Sequence, residues 1–135
     1  MAMQRRVLAI LAFVAFLQTA NDVAAQRLLT PLIPGWERYF TVSVEPTPME
    51  RRGKPYLGGY IVSTYGVTAT RVQLLVESLD AAGQTVGQHV EWLGGGNLPG
   101  FSRTYFEVPI RQPGSSYRVG VFAFDFVQSA QIESP

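Results

Sequence analysis

The sequence predicts an all-β fold: an antiparallel sandwich of six to seven strands in two sheets, preceded by a signal-peptide helix. Three observations carry this. Several segments alternate apolar and polar residues with a period of two, the repeat of a strand with one buried face. Gly, Pro, Asp and Asn clusters separate those segments at intervals typical of sandwiches. After residue 25 no stretch keeps a 3.6-residue apolar period over a useful length, so helices are not expected there.

The first 25 residues have the three parts of a secretory signal. Arg5 and Arg6 give a positive start, residues 7–17 (VLAILAFVAFL) form an unbroken apolar run, and Val23-Ala24-Ala25 supplies small residues for cleavage before Gln26. That run is far short of the roughly 20 residues a membrane helix needs. With the signal gone the chain loses Arg5, Arg6 and Asp22, so basic residues fall from 11 to 9 and acidic ones from 10 to 9. A neutral chain has no long-range field for phosphates, and nucleic acid is excluded as an expected partner. No transmembrane segment is expected after signal removal. There is no cysteine, so the exported domain must rest on its apolar core, which suits a bacterial periplasmic or extracellular setting.

The domain organisation follows: signal 1–25, a Pro-rich lead-in 26–37, the sandwich 38–128 and a tail 129–135. The lead-in contains LLTPLIPGW at 28–36, whose two prolines and glycine disfavour a helix or central strand, and it is expected to pack over the domain. Residues 38–45 (RYFTVSVE) set Phe40, Val42 and Val44 against Tyr39, Thr41 and Ser43, giving the first strand. Residues 46–55 hold three prolines and a charge run and read as a loop; Arg51-Arg52-Gly53-Lys54 within it is the one basic cluster. Residues 56–64 (YLGGYIVST) form the second strand, where Gly58-Gly59 signals a bulge or a close backbone approach. Tyr65-Gly66-Val67-Thr68 turns the chain.

The third strand starts at Arg71 and places Val72, Leu74 and Val76 on one side, Gln73 and Glu77 on the other. Asp80-Ala81-Ala82-Gly83 has Asp first and Gly fourth, as a type I turn in a short hairpin loop prefers. Residues 84–93 return, ended by Gly94-Gly95-Gly96-Asn97, which reads as a flexible connection. Residues 103–110 put Phe106, Val108 and Ile110 on one side, and Pro113-Gly114 marks the last turn before residues 117–127.

With these elements in place, Gly59-Tyr60-Ile61-Val62, the run Val72 to Asp80, Gly83, Leu98-Pro99-Gly100 and Phe106-Glu107-Val108 together resemble the FxLYD-type exported bacterial sandwich domains and their small uncharacterised relatives. The resemblance spans residues 59–121 and rests on strand-core and turn positions. Of the five name-giving positions, which fall on 76–80, this chain keeps the Asp. The resemblance implies an immunoglobulin-like sandwich of interaction type, with no catalytic residue to carry over.

Chemistry is sparse. His89 is the single histidine, has Gly87 and Glu91 as same-parity neighbours, and is expected to be an exposed strand residue rather than part of a triad. Glu77, Glu91 and Glu107 sit at polar-parity positions expected to be solvated; two of them on one concave face would be needed for a paired-carboxylate mechanism. No metal site or cofactor is expected from one imidazole without thiolates. Gly94 to Gly96 lacks the Lys-Ser/Thr of a phosphate loop.

One segment resists a purely structural reading. Residues 117–127 (YRVGVFAFDFV) are apolar on both parities, and three phenylalanines in register would form a patch on whichever face is uncovered. Either a bulge or the lead-in buries them, or they form a contact surface. The binding candidates are Phe122, Phe124, Phe126, Trp36 and Trp92, with Tyr60 and Tyr65 as further anchors. The expected function is a non-catalytic interaction or accessory domain of the bacterial envelope, working through a protein partner or self-association. The alternative is a module for a glycan or apolar ligand, using surface aromatics with Gln73, Gln84 and Gln88. The signal reading is checked by intact mass: the exported product should begin at Gln26, and a mass that still includes Met1 contradicts it.

Overall fold

The structure, a computed structural model, describes residues 28–127; the expected signal helix and the 129–135 tail lie outside them. After a single 3-10 turn at Trp36–Arg38 come β1 (Phe40–Val44), β2 (Met49–Arg51), β3 (Lys54–Ser63), β4 (Ala69–Leu79), β5 (Thr85–Trp92), β6 (Asn97–Leu98), β7 (Arg103–Pro109) and β8 (Ser116–Phe126). Every pairing is antiparallel. β3 is the centre of one sheet, with β1 and β2 in succession along one side and β7 along the other. β4 is the centre of the second, with β5 and β6 on one side and β8 on the other. Phe40, Leu57, Ile61 and Phe106 of the first sheet meet Leu74, Val76, Val121 and Phe124 of the second in one buried cluster.

Two short strands lie where the sequence reads loops. β2 pairs with the start of β3 across a two-residue turn whose central residues, Arg52 and Gly53, have φ of 54° and 75°. Positive φ at both positions gives the twist a tight hairpin needs, and Gly53 was its one visible sign. β6 closes the glycine run by pairing Asn97 and Leu98 with Thr70 and Ala69. Gly58-Gly59 takes the close-approach form, since the β3 registers run without a break. A Cβ at Gly59 would collide with the Ser43 carbonyl oxygen. The Asp80 turn forms as expected: Gly83, at φ 81°, donates its N–H to the Asp80 carbonyl, while Asp80 Oδ1 accepts from Ala82 and Gln84, both at 2.9 Å.

The last strand solves its two-sided apolarity by changing parity. Val121 stands opposite Leu74 but Ala123 opposite Gln73, so Phe122 is an extra residue in β8. Val119 and Val121 face inward before it, Phe124 and Phe126 after it. β4 answers with its own extra residue near Arg71, at φ 55°, which lets Ala69 and Val72 both point inward. The Phe122 carbonyl is taken by the N–H of Leu32 at 2.8 Å, and the lead-in crosses the outward face of this sheet. Leu29 exchanges two hydrogen bonds with the Gln88 side chain, at 2.7 and 3.0 Å, and the Trp36 indole lies against Gly120. Leu75, outward on β4 between Val90 and Gly120, is thereby 3% exposed.

Phe124 is 6% exposed and meets Phe40 edge to face at 4.9 Å. Phe124→Ser should therefore cost about 3 kcal/mol or more, from the lost ring and the buried hydroxyl. Thermal unfolding beside size-exclusion chromatography checks this: the midpoint should drop sharply while association is unchanged.

Candidate functional site at the aromatic end

The candidate residues of the last strand do not share a surface. Phe124 is inside, Phe126 is half-buried against it at 5.1 Å, and Phe122 is half-buried at the bulge beside the lead-in. Of the two alternatives for this strand, the structure takes the bulge, and an added residue turns successive alternate positions to opposite faces. Trp36 is spent on covering Gly120, and Trp92, 60% exposed, stands alone at the end of β5. Gln88 is likewise occupied, by Leu29 and by Glu77 at 3.1 Å.

What the fold does assemble is an aromatic end, where the β3–β4 turn, the β6–β7 turn and the close of β8 come together. Phe126 lies 5.1 Å from Tyr39 and 5.0 Å from Tyr65, and Tyr39 is 5.1 Å from Tyr65, so three rings meet mutually at the mouth of the core. Tyr65 is 42% exposed. Beyond it stands Phe101, 75% exposed and at φ 55°. An aromatic residue in the left-handed region is a backbone outlier, and several contacts hold it there. The Phe101 N–H donates to the Tyr65 carbonyl at 3.1 Å, and the Ser102 hydroxyl and N–H both donate to the Pro99 carbonyl, at 2.6 and 3.2 Å. Gly100 lies flat on Gly66: a Cβ on Gly100 would be 2.5 Å from the Gly66 carbonyl. The two turns are locked back to back. Phe101 was not singled out from the sequence; its available signal was an aromatic directly after Pro99-Gly100, a loop-tip position.

The ionisable groups are arranged differently from expectation. His89 stands opposite Val76, whose side chain is inside, and directly paired residues point to the same face. The imidazole is thus 13% exposed rather than solvent-facing, at the inner rim of β5, where Gln112 fits against Gly87. Burial pushes its pKa below the ordinary 6.5, outweighing the pull of Glu91, whose carboxylate is 3.5 Å from Nε2. Glu77, Glu91 and Glu107 occupy three different faces: the outward side of β4, the inner rim of β5 and the outward side of β7. An arginine holds each, Arg118 on Glu77 at 3.1 Å, Arg111 on Glu91 at 2.8 Å and Arg51 on Glu107 at 2.8 Å. Burial raises the Glu77 pKa, yet the bonds from Arg118, Gln88 and Thr85 leave it below 4.5. No two of these carboxylates share a concave face.

No family model matches the chain, and neither a curated protein nor a solved structure does. Among the described residues there is no group of three His, Cys, Asp or Glu able to hold a metal, and no helix long and apolar enough to cross a membrane.

The His89 geometry gives a pH dependence of definite sign. A folded-state pKa below the ordinary value means the native state resists protonation, so its contribution is present above about pH 6.5 and is lost as the pH falls from there through the lower folded-state value. Urea midpoints at about pH 7.5 and about pH 5.5 should show the loss, and His89→Gln should remove that step.

Proposed function

We propose that this chain is a non-catalytic exported interaction domain of the bacterial envelope that binds a protein partner, or a second copy of itself, through Tyr65 and Phe101. The observation that carries the reading is Phe101. A left-handed non-glycine residue costs about 1–2 kcal/mol, and an exposed ring returns little of that to the fold. A ring held out at such a cost, on a rigid turn beside a second exposed aromatic, has the character of an interface anchor. The absence of a shared carboxylate face and the inward, arginine-flanked position of His89 and Glu91 support a non-catalytic role.

The reading extends to the strand order. Among the described residues the strand orders β1–β3–β7 and β5–β4–β8 support an immunoglobulin-like sandwich, in keeping with the resemblance to FxLYD-type domains. In such sandwiches the turns gathered at one end are where recognition is built, since loops can vary on a rigid frame. Export rests on the signal pattern of residues 1–25.

Phe101→Gly separates the anchor from the fold. Relief of the left-handed strain should leave the unfolding free energy unchanged within about 0.5 kcal/mol or raise it. The same change should abolish cross-linking from a photoreactive side chain placed at Tyr65, whether the adduct is a second copy or an envelope protein. Undiminished adduct formation in the variant, or a marked loss of stability, contradicts the proposal.

A further inference from the structure

The outward face of the β3 sheet carries chemistry that neither the core nor the aromatic end uses. Its register sets Ser43, Tyr60 and Tyr105 in one row across β1, β3 and β7, and Thr41, Val62 and Arg103 in the next. The Tyr60 and Tyr105 ring centroids are 5.3 Å apart, and the Arg103 guanidinium carbon sits 3.7 Å over the Tyr60 ring. Arg51, Arg111 and Arg118 are each spent on a carboxylate, whereas among the described residues none lies within ion-pair distance of Arg103. Its donors are pre-placed by the stack and free.

Tyr105 is equally prepared. It is 42% exposed, its hydroxyl lies 3.3 Å from Glu107 Oε1, and Arg51 grips both oxygens of that carboxylate at 2.8 and 3.3 Å. The ring can lean across the neighbouring strand because Gly58 has no side chain: a Cβ there would be 2.6 Å from the Tyr105 hydroxyl oxygen. The result is a fixed aromatic face with a free guanidinium one ring-width away and the exposed hydroxyls of Thr41 and Ser43 further along the sheet.

We infer that this face binds an anionic sugar of the uronate type. The apolar face of a pyranose ring lies on Tyr105, and its carboxylate takes two N–H donors from Arg103 in the planar geometry a guanidinium favours. Sugar hydroxyls along the chain meet Ser43 and Thr41. A nucleic-acid strand is the poorer fit: it needs several free cations along its backbone, and Arg51 is already neutralised by Glu107. The site begins two residues after Phe101 but uses neither the Phe101 nor the Tyr65 side chain, so the two proposals fail independently.

Titration of the protein with an oligogalacturonate, followed by amide NMR, tests it. Shifts should concentrate at Tyr60, Arg103 and Tyr105, and Arg103→Gln should weaken binding about tenfold or more, the loss of one charged hydrogen-bond pair. Lys54→Gln removes the same charge from the start of β3 and should change affinity less than about twofold, as should Phe101→Gly. A neutral oligoglucose and an oligothymidylate should bind far more weakly. The inference is overturned if the uronate gives no localised shifts, if either control ligand binds as well, or if Lys54→Gln weakens binding as much as Arg103→Gln.

Discussion

The matched irregularity in β4 and β8 governs what this domain buries and what it shows. A strand apolar on both faces cannot satisfy a two-layer fold with unbroken alternation, because half of its side chains would stand in water. Inserting Phe122 in β8, and a compensating residue near Arg71 in β4, switches parity in both strands at neighbouring levels. Val119, Val121, Phe124 and Phe126 can then all point to the core side. The same insertion turns the Phe122 carbonyl toward Leu32, which anchors the lead-in over the outward face.

Most of the polar chemistry is consumed in positioning. Arg118 holds Glu77, Glu77 holds Gln88, and Gln88 holds both main-chain groups of Leu29, a relay from β8 across β4 and β5 to the lead-in. Exposed ion pairs contribute little stability singly, so the value of this relay is geometric: it sets where the lead-in lies. On the inner side of β5, Glu91 and Arg111 close over the strand edge beside His89. Residues that a sequence search would try as catalysts are therefore the ones that hold the sheets and their coverings in place.

Two surfaces are left with unused recognition chemistry, and both depend on missing side chains. Gly66 and Gly100 let two turns meet main chain to main chain, which fixes Phe101 outward; Gly58 makes room for the Tyr105 hydroxyl on the sheet face. In each case the glycine acts through close approach rather than flexibility, and a rigid aromatic ring is the product. Rings held in one orientation lose little entropy when a ligand or partner covers them, so such positions suit binding.

The longer strands and the turn chemistry were readable from the chain because they are local. Alternation in 38–45 and 103–110, and Asp80 with Gly83, are decided by pleat geometry and dihedral preference within a few residues. The short β2 and β6 were not legible, since their strand character comes from a partner that the local sequence does not contain. His89 was misread for a related reason: on an edge strand the polar parity can face inward when another segment, here Arg111 and Gln112, closes the rim. The sequence marked residues 117–127 as a conflict without resolving it, for the position of a bulge depends on the facing strand and on the crossing lead-in. Composition and periodicity determined an all-β chain with too many aromatics for one face. Tertiary pairing decided that Phe124 is core, Phe101 is tip and Tyr105 is platform, because exposure is a property of what packs opposite a residue.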